Sequence, residues 1–323
     1  MTPTKAPSCR AIEADLVATA AGEAGADAVR RVDEHARRCA PCRDELARYR
    51  AIDQLARGLR HDVPSPADVA ASRTALQARL ADVRSRVLTY GIVPSPLGNI
   101  LVARSEHGVS LVEYLGEADT LEASRLRGLT DVETVESSAE IARLRDDLLD
   151  FLAGRRRDLG WKLDLRLAGG EFSRAVLQAA AAIPFGAVTS YAAIAKRVGK
   201  PEAVRAVAQA LRHNPLPIVV PCHRVVGSSG MLTGYAGNKI TLKRRLLDVE
   251  GVPTRPAARD FRVAREAMYV RAGDDRSYCL PTCGDLPTYS LADLTLLASR
   301  ESVEALGLEP CRDCRPDLHP LAS

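Results

Sequence analysis

The sequence predicts a multidomain α+β protein, and three features carry that reading. Its 323 residues leave room for two or three separate cores. Apolar residues recur at helical spacing through the first eighty or so positions, give way to short β-branched runs from Leu88, and return to helical spacing after Ser138. The cysteines fall into three groups, Cys9 with Cys39 and Cys42, the isolated Cys222, and Cys279, Cys283, Cys311 and Cys314. A small module with its own ligand set is therefore expected at each end.

Composition narrows the class. Lys and Arg total 45 against 41 Asp and Glu, for a formal net charge of +4, which is compatible with nucleic-acid contact without demanding it. There is no apolar run of bilayer length, and Met1–Leu16 offers no apolar segment for a signal peptide. A soluble, cytoplasmic protein without a membrane partner is expected. In a reducing compartment the cysteine spacings read as metal ligands rather than disulfides.

Residues 1–60 form a helical module. One helix is expected near Ala11–Ala21, a break at Gly22 and Gly25, and a second helix from about Asp27 through Cys42. His35, Cys39 and Cys42 at i, i+4 and i+7 then share one helix face, and Cys9 completes a Cys3His zinc site. Pro41 is the residue able to break the helix inside this motif. Residues 61–87 read as a linker helix, with Ser65 at the N-cap and Pro66 at the first helical position.

Residues 88–172 change period. Leu88–Val93, Asn99–Arg104 and Val109–Tyr114 read as a strand meander, followed by an amphipathic helix Ser138–Ala153. From 173 to 252 the pattern is Ser173–Ile183, Ser190–Val198 and Glu202–Arg212, the last two joined through the turn Gly199–Lys200–Pro201. Two short helices across such a turn predict a helix-turn-helix. Its second helix carries Arg205 beside small residues such as Ala206, which would allow close approach to a nucleic-acid groove.

The run Ile218–Val219–Val220 is expected to deliver Cys222 to the end of a buried strand, after the stiff entry Asn214–Pro215–Leu216–Pro217. The thiolate is the reactive form of cysteine, the adjacent His223 can generate it, and the later Glu250 can orient that imidazole. A Cys–His hydrolase is the alternative at this level. It is disfavoured because His223 adjoins Cys222 in sequence and a helix-turn-helix has no use there. Residues 261–323 hold Cys279-x3-Cys283 and Cys311-x2-Cys314, four thiolates at zinc-ligand spacing.

Three resemblances attach to these residues. Residues from about Thr89 to Val252 resemble a methylated-DNA–protein-cysteine methyltransferase (O6-alkylguanine-DNA alkyltransferase). The carrying motifs are Val188–Tyr191, Ala203–Val207, His213–Pro215, Pro221–Val225, Thr233–Tyr235 and Leu246–Gly251. The resemblance implies a ribonuclease H-like αβ subdomain (88–172) followed by a winged helix-turn-helix-like domain (173–252). It implies that Cys222 takes the alkyl group from O6-alkylguanine, and from O4-alkylthymine, in a base flipped out of double-stranded DNA. His223 would accept the proton through a water, Glu250 would orient His223, and Asn214 would act as a hinge. Tyr191 would donate to the base and crowd its phosphate, while Arg205 would fill the vacated stack. Tyr235 would wall the alkyl pocket, and the carbonyls of Cys222 and Val225 would read the exocyclic amine. The amide of Ala236, where many members carry Ser, would contact O6. The protein would act once, without a cofactor, as a monomer.

The segment around Cys9, His35, Cys39 and Cys42 resembles the zinc-containing anti-sigma-factor family, which implies a helical zinc module that binds a partner such as a sigma factor. An alkylation-responsive transcription regulator is thus the alternative function. Residues 261–323 resemble the zinc domain of the adaptive-response (Ada) family, which implies that Cys279 is a second methyl acceptor, for DNA methylphosphotriesters. Here the sequence departs from the family: Leu280 and Gly284–Asp285 stand where arginines tend to follow the first two cysteines.

Overall fold

Glycine and proline positions set the helices of the N-terminal module. After α1 (Pro7–Ala11), α2 (Glu13–Ala21) ends at Gly22, whose left-handed backbone (φ +75°) turns its amide back onto the carbonyls of the last turn. Next, α3 (Ala26–Arg38) stops at Cys39, which is extended, and α4 (Ala40–His61) begins beyond it. Pro41 lacks the N–H that a continuous helix would bond to residue 37. The sequence-expected single helix through His35, Cys39 and Cys42 is therefore two helices with a corner at Cys39. Leu16, Val32 and Leu46, buried, form the module's small core.

The protein is described from a computed structural model over residues 7–61, 65–116, 121, 124–130, 132–235, 239–257, 260–284, 286 and 290–321; the expected base contact at Ala236 lies outside them. The chain divides into two compact units, Met1–Arg79 and Leu80–Ser323, the division falling within α5 (Pro66–Arg86). Ser65 caps α5, its hydroxyl accepting from the Asp68 amide at 3.1 Å. Among the described residues, no helix is long and apolar enough to cross a membrane.

The second unit opens with the expected meander: β1 (Val87–Val93), β2 (Asn99–Ser105) and β3 (Gly108–Gly116), antiparallel, with β4 (Glu133–Glu136) parallel to β1. The sheet order is β3-β2-β1-β4. At Gly108 (φ +148°) a Cβ would lie 2.3 Å from the Lys162 carbonyl oxygen, so only glycine fits where that segment crosses. Ile100, Val102 and Val112 bury one sheet face against α6 (Ser138–Leu152) through Ile141, Leu148 and Phe151. Leu88, Leu101 and Leu111 bury the other face against Leu126. Ser137 caps α6 by accepting from the Glu140 amide, the Ser-x-x-Glu start of a helix.

The same core continues through α7 (Glu171–Ala181), α8 (Tyr191–Arg197) and α9 (Val204–Arg212) to the segment around Cys222. Between these helices, β5 (Ala187–Ser190) pairs in parallel with β6 (Val225–Val226), and α10 (Ile240–Val249) follows. The hairpin β7 (Thr254–Ala257) and β8 (Asp260–Val263) leads to β9 (Tyr269–Ala272), β10 (Ser277–Tyr278), β11 (Leu294–Leu297), α11 (Arg300–Ala305) and β12 (Glu309–Pro310). Here β11 pairs with both β9 and β5, giving one sheet ordered β6-β5-β11-β9. Val188, Val226 and Leu247 thus share a core with Val270, Leu294 and Leu296.

Candidate active site

The chain reaches Cys222 by tight turns rather than along a strand. Pro217 and Pro221 withhold two ladder donors, and Ile218 takes a positive φ of 74°, a strained conformation for a β-branched residue. Pro221 (φ −78°, ψ 62°) makes an inverse γ-turn that closes with the Cys222 amide on the Val220 carbonyl at 2.7 Å. Cys222–Arg224 is one turn of 3-10 helix leading into β6. The expected strand ending at Cys222 is thus corrected to a strained turn that presents the thiol at its start.

Asn214 ties this turn together. Its Nδ2 donates to the Val220 carbonyl at 3.0 Å and to Cys222 Sγ at 3.3 Å, while its Oδ1 accepts from the Leu216 amide at 2.9 Å. Cys222 is 6% exposed. Burial pushes its thiol up, and the Asn214 amide and the Lys243 charge oppose that shift. The resting group is therefore a protected thiol whose ionisation needs a base.

His223 and Glu250 form a buried pair next to this turn. The imidazole Nε2 lies 2.7 Å from Glu250 Oε1, with both side chains fully buried. Arg224 donates to both carboxylate oxygens at 2.8–3.0 Å, and the Gly186 amide donates to Oε2 at 3.1 Å. Burial alone would raise the Glu250 carboxyl, but His223 and Arg224 outweigh it and hold it down at about 2. Burial also pulls His223 down, against the pull of Glu250, so the imidazole is neutral and basic at neutral pH. With Nε2–H donated to the carboxylate, Nδ1 carries the lone pair. That Nδ1 is buried and has no partner among the described residues, as a proton acceptor waiting for a bridging water would be.

Tyr235 bonds Tyr114 hydroxyl to hydroxyl at 2.8 Å, and its ring meets the His223 ring edge-to-face at 6.3 Å. Tyr191 donates to the carbonyl of Thr233 at 3.0 Å. Burial pushes its phenol up to about 12, so it remains a donor at neutral pH. A cavity of about 330 Å³ opens onto Cys222, lined among others by Tyr191, Arg205, Thr233 and Tyr235. Arg205 and Ala206 stand exposed in the first turn of α9, whose start has no side-chain cap. Val225 follows the turn, and its carbonyl accepts from Lys243.

Lys243, Arg224 and Tyr114 are site residues that the sequence reading passed over. Lys243 is fully buried, donates to the carbonyls of Val225 and Thr233, and lies over the Tyr191 ring. Burial lowers its ammonium to about 8. Its signal was a lysine on the face of α10 that also carries Leu246 and Leu247.

Among the described residues, two clusters could hold a metal ion. The ligand atoms of Cys9, His35, Cys39 and Cys42 lie within 4.8 Å of one another, as do those of Cys279, Cys283, Cys311 and Cys314. Cys9 Sγ is 3.7 Å from His35 Nε2 and 3.8 Å from Cys39 Sγ, close to the ~3.7 Å edge of a tetrahedron with Zn–S bonds of ~2.3 Å. Burial and the neighbouring sulfurs push the Cys279 and Cys314 thiols up, Cys314 to about 11. A cation held between the sulfurs reverses that balance.

Comparisons with known proteins agree on one part of the chain. Residues 171–252 match the family described as "6-O-methylguanine DNA methyltransferase, DNA binding domain". The constitutive methylated-DNA–protein-cysteine methyltransferase of Bacillus subtilis is 38% identical over 163 residues, covering 50% of this chain and 95% of that protein. The methylated-DNA–protein-cysteine methyltransferase of Mycobacterium bovis is 38% identical over 164 residues, 51% of this chain and 93% of that protein. Among solved structures, the Mycobacterium tuberculosis OGT in complex with DNA aligns with a TM-score of 0.43 and 34% identity, covering 51% of this chain and 92% of that one.

Proposed function

The chain belongs to the methylated-DNA–protein-cysteine methyltransferase family, and on that premise we propose that Cys222 is its alkyl acceptor. The observation that supports the assignment is the buried His223–Glu250 pair adjoining Cys222 in the chain, with His223 Nδ1 left without a partner among the described residues. His223 takes the thiol proton through a water, and Glu250 stabilises the imidazolium that forms. The thiolate attacks the alkyl carbon on O6 of guanine. An S–C bond forms, the C–O bond breaks, and its electron pair stays on the base. Tyr191, held as a donor, eases that departure by hydrogen bonding to the base. The thioether product is stable, so each molecule acts once. O4-alkylthymine presents the same sp³ carbon on an enol-type oxygen and is included as a substrate.

An alkylated base inside a duplex is out of reach of a buried thiol, so the nucleotide is flipped into the cavity beside Cys222. Arg205, exposed in the first turn of α9, is placed by this reading in the gap left behind, with Ala206 permitting close approach of the backbone. Helices α8 and α9 then act as the helix-turn-helix, and the β3-β2-β1-β4 sheet with α6 is the ribonuclease H-like subdomain. Val225 and Tyr235 flank the base in this reading.

The two ligand clusters are assigned to zinc on their sulfur-rich donor sets. Cys9, His35, Cys39 and Cys42 would hold one ion and Cys279, Cys283, Cys311 and Cys314 the other, each neutralising thiolates and fixing local chain geometry. Cys279 is a second candidate methyl acceptor. The N-terminal cluster favours a second reading of the chain as an alkylation-responsive regulator binding a sigma factor; a pull-down that survives His35→Ala would remove it.

The test is stoichiometry. Titration with a duplex carrying labelled O6-methylguanine is expected to saturate at one methyl per chain, with Cys222→Ala taking none; repair by Cys222→Ala contradicts the assignment.

A further inference from the structure

The turn Pro184–Phe185–Gly186, which leads into β5, is gripped from two sides. On one side the Gly186 amide donates to Glu250 Oε2 at 3.1 Å, and Arg224, itself bonded to Glu250, donates to the Ile183 carbonyl. On the other side are two groups from the far end of the chain. The Ala298 amide donates to the Gly186 carbonyl at 2.8 Å, and the Ser302 hydroxyl donates to the Phe185 carbonyl at 3.2 Å.

The fit allows no slack. Gly186 has φ +72°, and a Cβ there would lie 2.8 Å from Ser302 Oγ and 3.3 Å from the Glu250 carbonyl oxygen. Ser302 is 5% exposed, in the first turn of α11, where the Ser299 hydroxyl accepts from its amide at 3.2 Å. Strand β11, just before it, is zipped to β5 at Leu296↔Val188 and Leu297↔Ala187, and β5 is zipped to β6 immediately beyond Arg224.

We propose that the C-terminal module is a working part of the acceptor site, with Ser302, aided by the Ala298 amide, as a positioning residue that fixes the Phe185–Gly186 peptide and through it the Glu250 carboxylate. This rests on the reading of Cys222, His223 and Glu250 as the acceptor relay. Among the described residues, the charged and titratable groups facing that relay are Arg224 on the same turn, Tyr191 on α8, Lys243 on α10, and Tyr235 with its partner Tyr114; none of these comes from the C-terminal module. Ser302 therefore acts through geometry. If the peptide drifts, Glu250 loses its amide donor and accepts more strongly from His223. The imidazolium persists to higher pH, and the neutral base that Cys222 needs appears later.

The experiment follows Cys222 in the full-length protein by two routes across pH 5 to 9: methyl transfer from an O6-methylguanine duplex, and labelling by iodoacetamide read on the Cys222 peptide. Ser302→Ala is expected to slow both about threefold to tenfold, the scale of one buried hydrogen bond, and to move the acid limb of both profiles to higher pH. Gly186→Ala, which drives a methyl against the same hydroxyl, is expected to move the limb the same way. Glu304→Ala, on the exposed side of α11 and paired with the exposed Arg300, leaves both profiles in place. Unshifted profiles in Ser302→Ala and Gly186→Ala overturn the proposal. A wild-type protein that takes no methyl from DNA would instead count against the functional reading, and the labelling profiles would still decide whether Ser302 reaches Cys222.

Discussion

At the scale of residues, the site depends on charges kept where water cannot help them. Glu250 is held at about 2 although burial works against ionisation. A carboxyl depressed on folding contributes stability that is fully present above its unfolded value, ~4.3, and is lost as pH falls toward about 2. His223, pulled down by burial, acts with the same sign: below its unfolded value of ~6.5 the unfolded chain binds the proton more readily. The stability gap between wild type and Glu250→Gln, from urea midpoints, should therefore be widest at neutral pH and narrow as pH drops to 3. A gap that is constant with pH contradicts the ion-paired carboxylate. Cys222, His223 and Glu250 were legible because reactive types stood beside turn formers. Lys243 was not, since a lysine in a helix is normally solvated. Only the carbonyls of Val225 and Thr233, brought together by the fold, explain its burial.

At the scale of elements, helices and the meander follow from periodicity and caps, and the exceptions follow from proline and backbone strain. Pro41 turns the expected ligand-bearing helix into α3 and α4 with Cys39 at the corner. Pro217, Pro221 and the positive φ of Ile218 replace the expected strand before Cys222 by tight turns. A β-branched run alone does not report that its donors have been removed on both sides. The start of α9 carries the DNA-facing prediction. Arg205→Ala should lower the methyl-transfer rate on duplex DNA about tenfold, because an unfilled stack opposes flipping. It should leave the reaction with the free O6-methylguanine base unchanged, since no stack has to be opened. Equal loss on both substrates would make Arg205 part of the pocket instead.

At the scale of the whole molecule, the chain is two compact units, and the described residues of each hold one four-ligand cluster. Metal analysis should find two zinc ions per chain. Cys39→Ser should remove one and lower the melting of the N-terminal helices while methyl transfer at Cys222 proceeds unchanged. Cys283→Ser should remove the other and destabilise the second unit, in which β9 and β11 share a sheet with β5 and β6. Unchanged metal content in either variant contradicts that cluster as a site. The two ligand sets could be read from spacing. The strand pairing that joins 269–297 to 187–226 could not, because long-range register leaves no local mark in the sequence. The central claim remains that one buried thiol receives the alkyl group. Mass mapping of every cysteine peptide after reaction with an O6-methylguanine duplex tests it most directly. The methyl is expected on the Cys222 peptide; a methylated product with Cys222 unmodified, or no methylated cysteine at all, would contradict it.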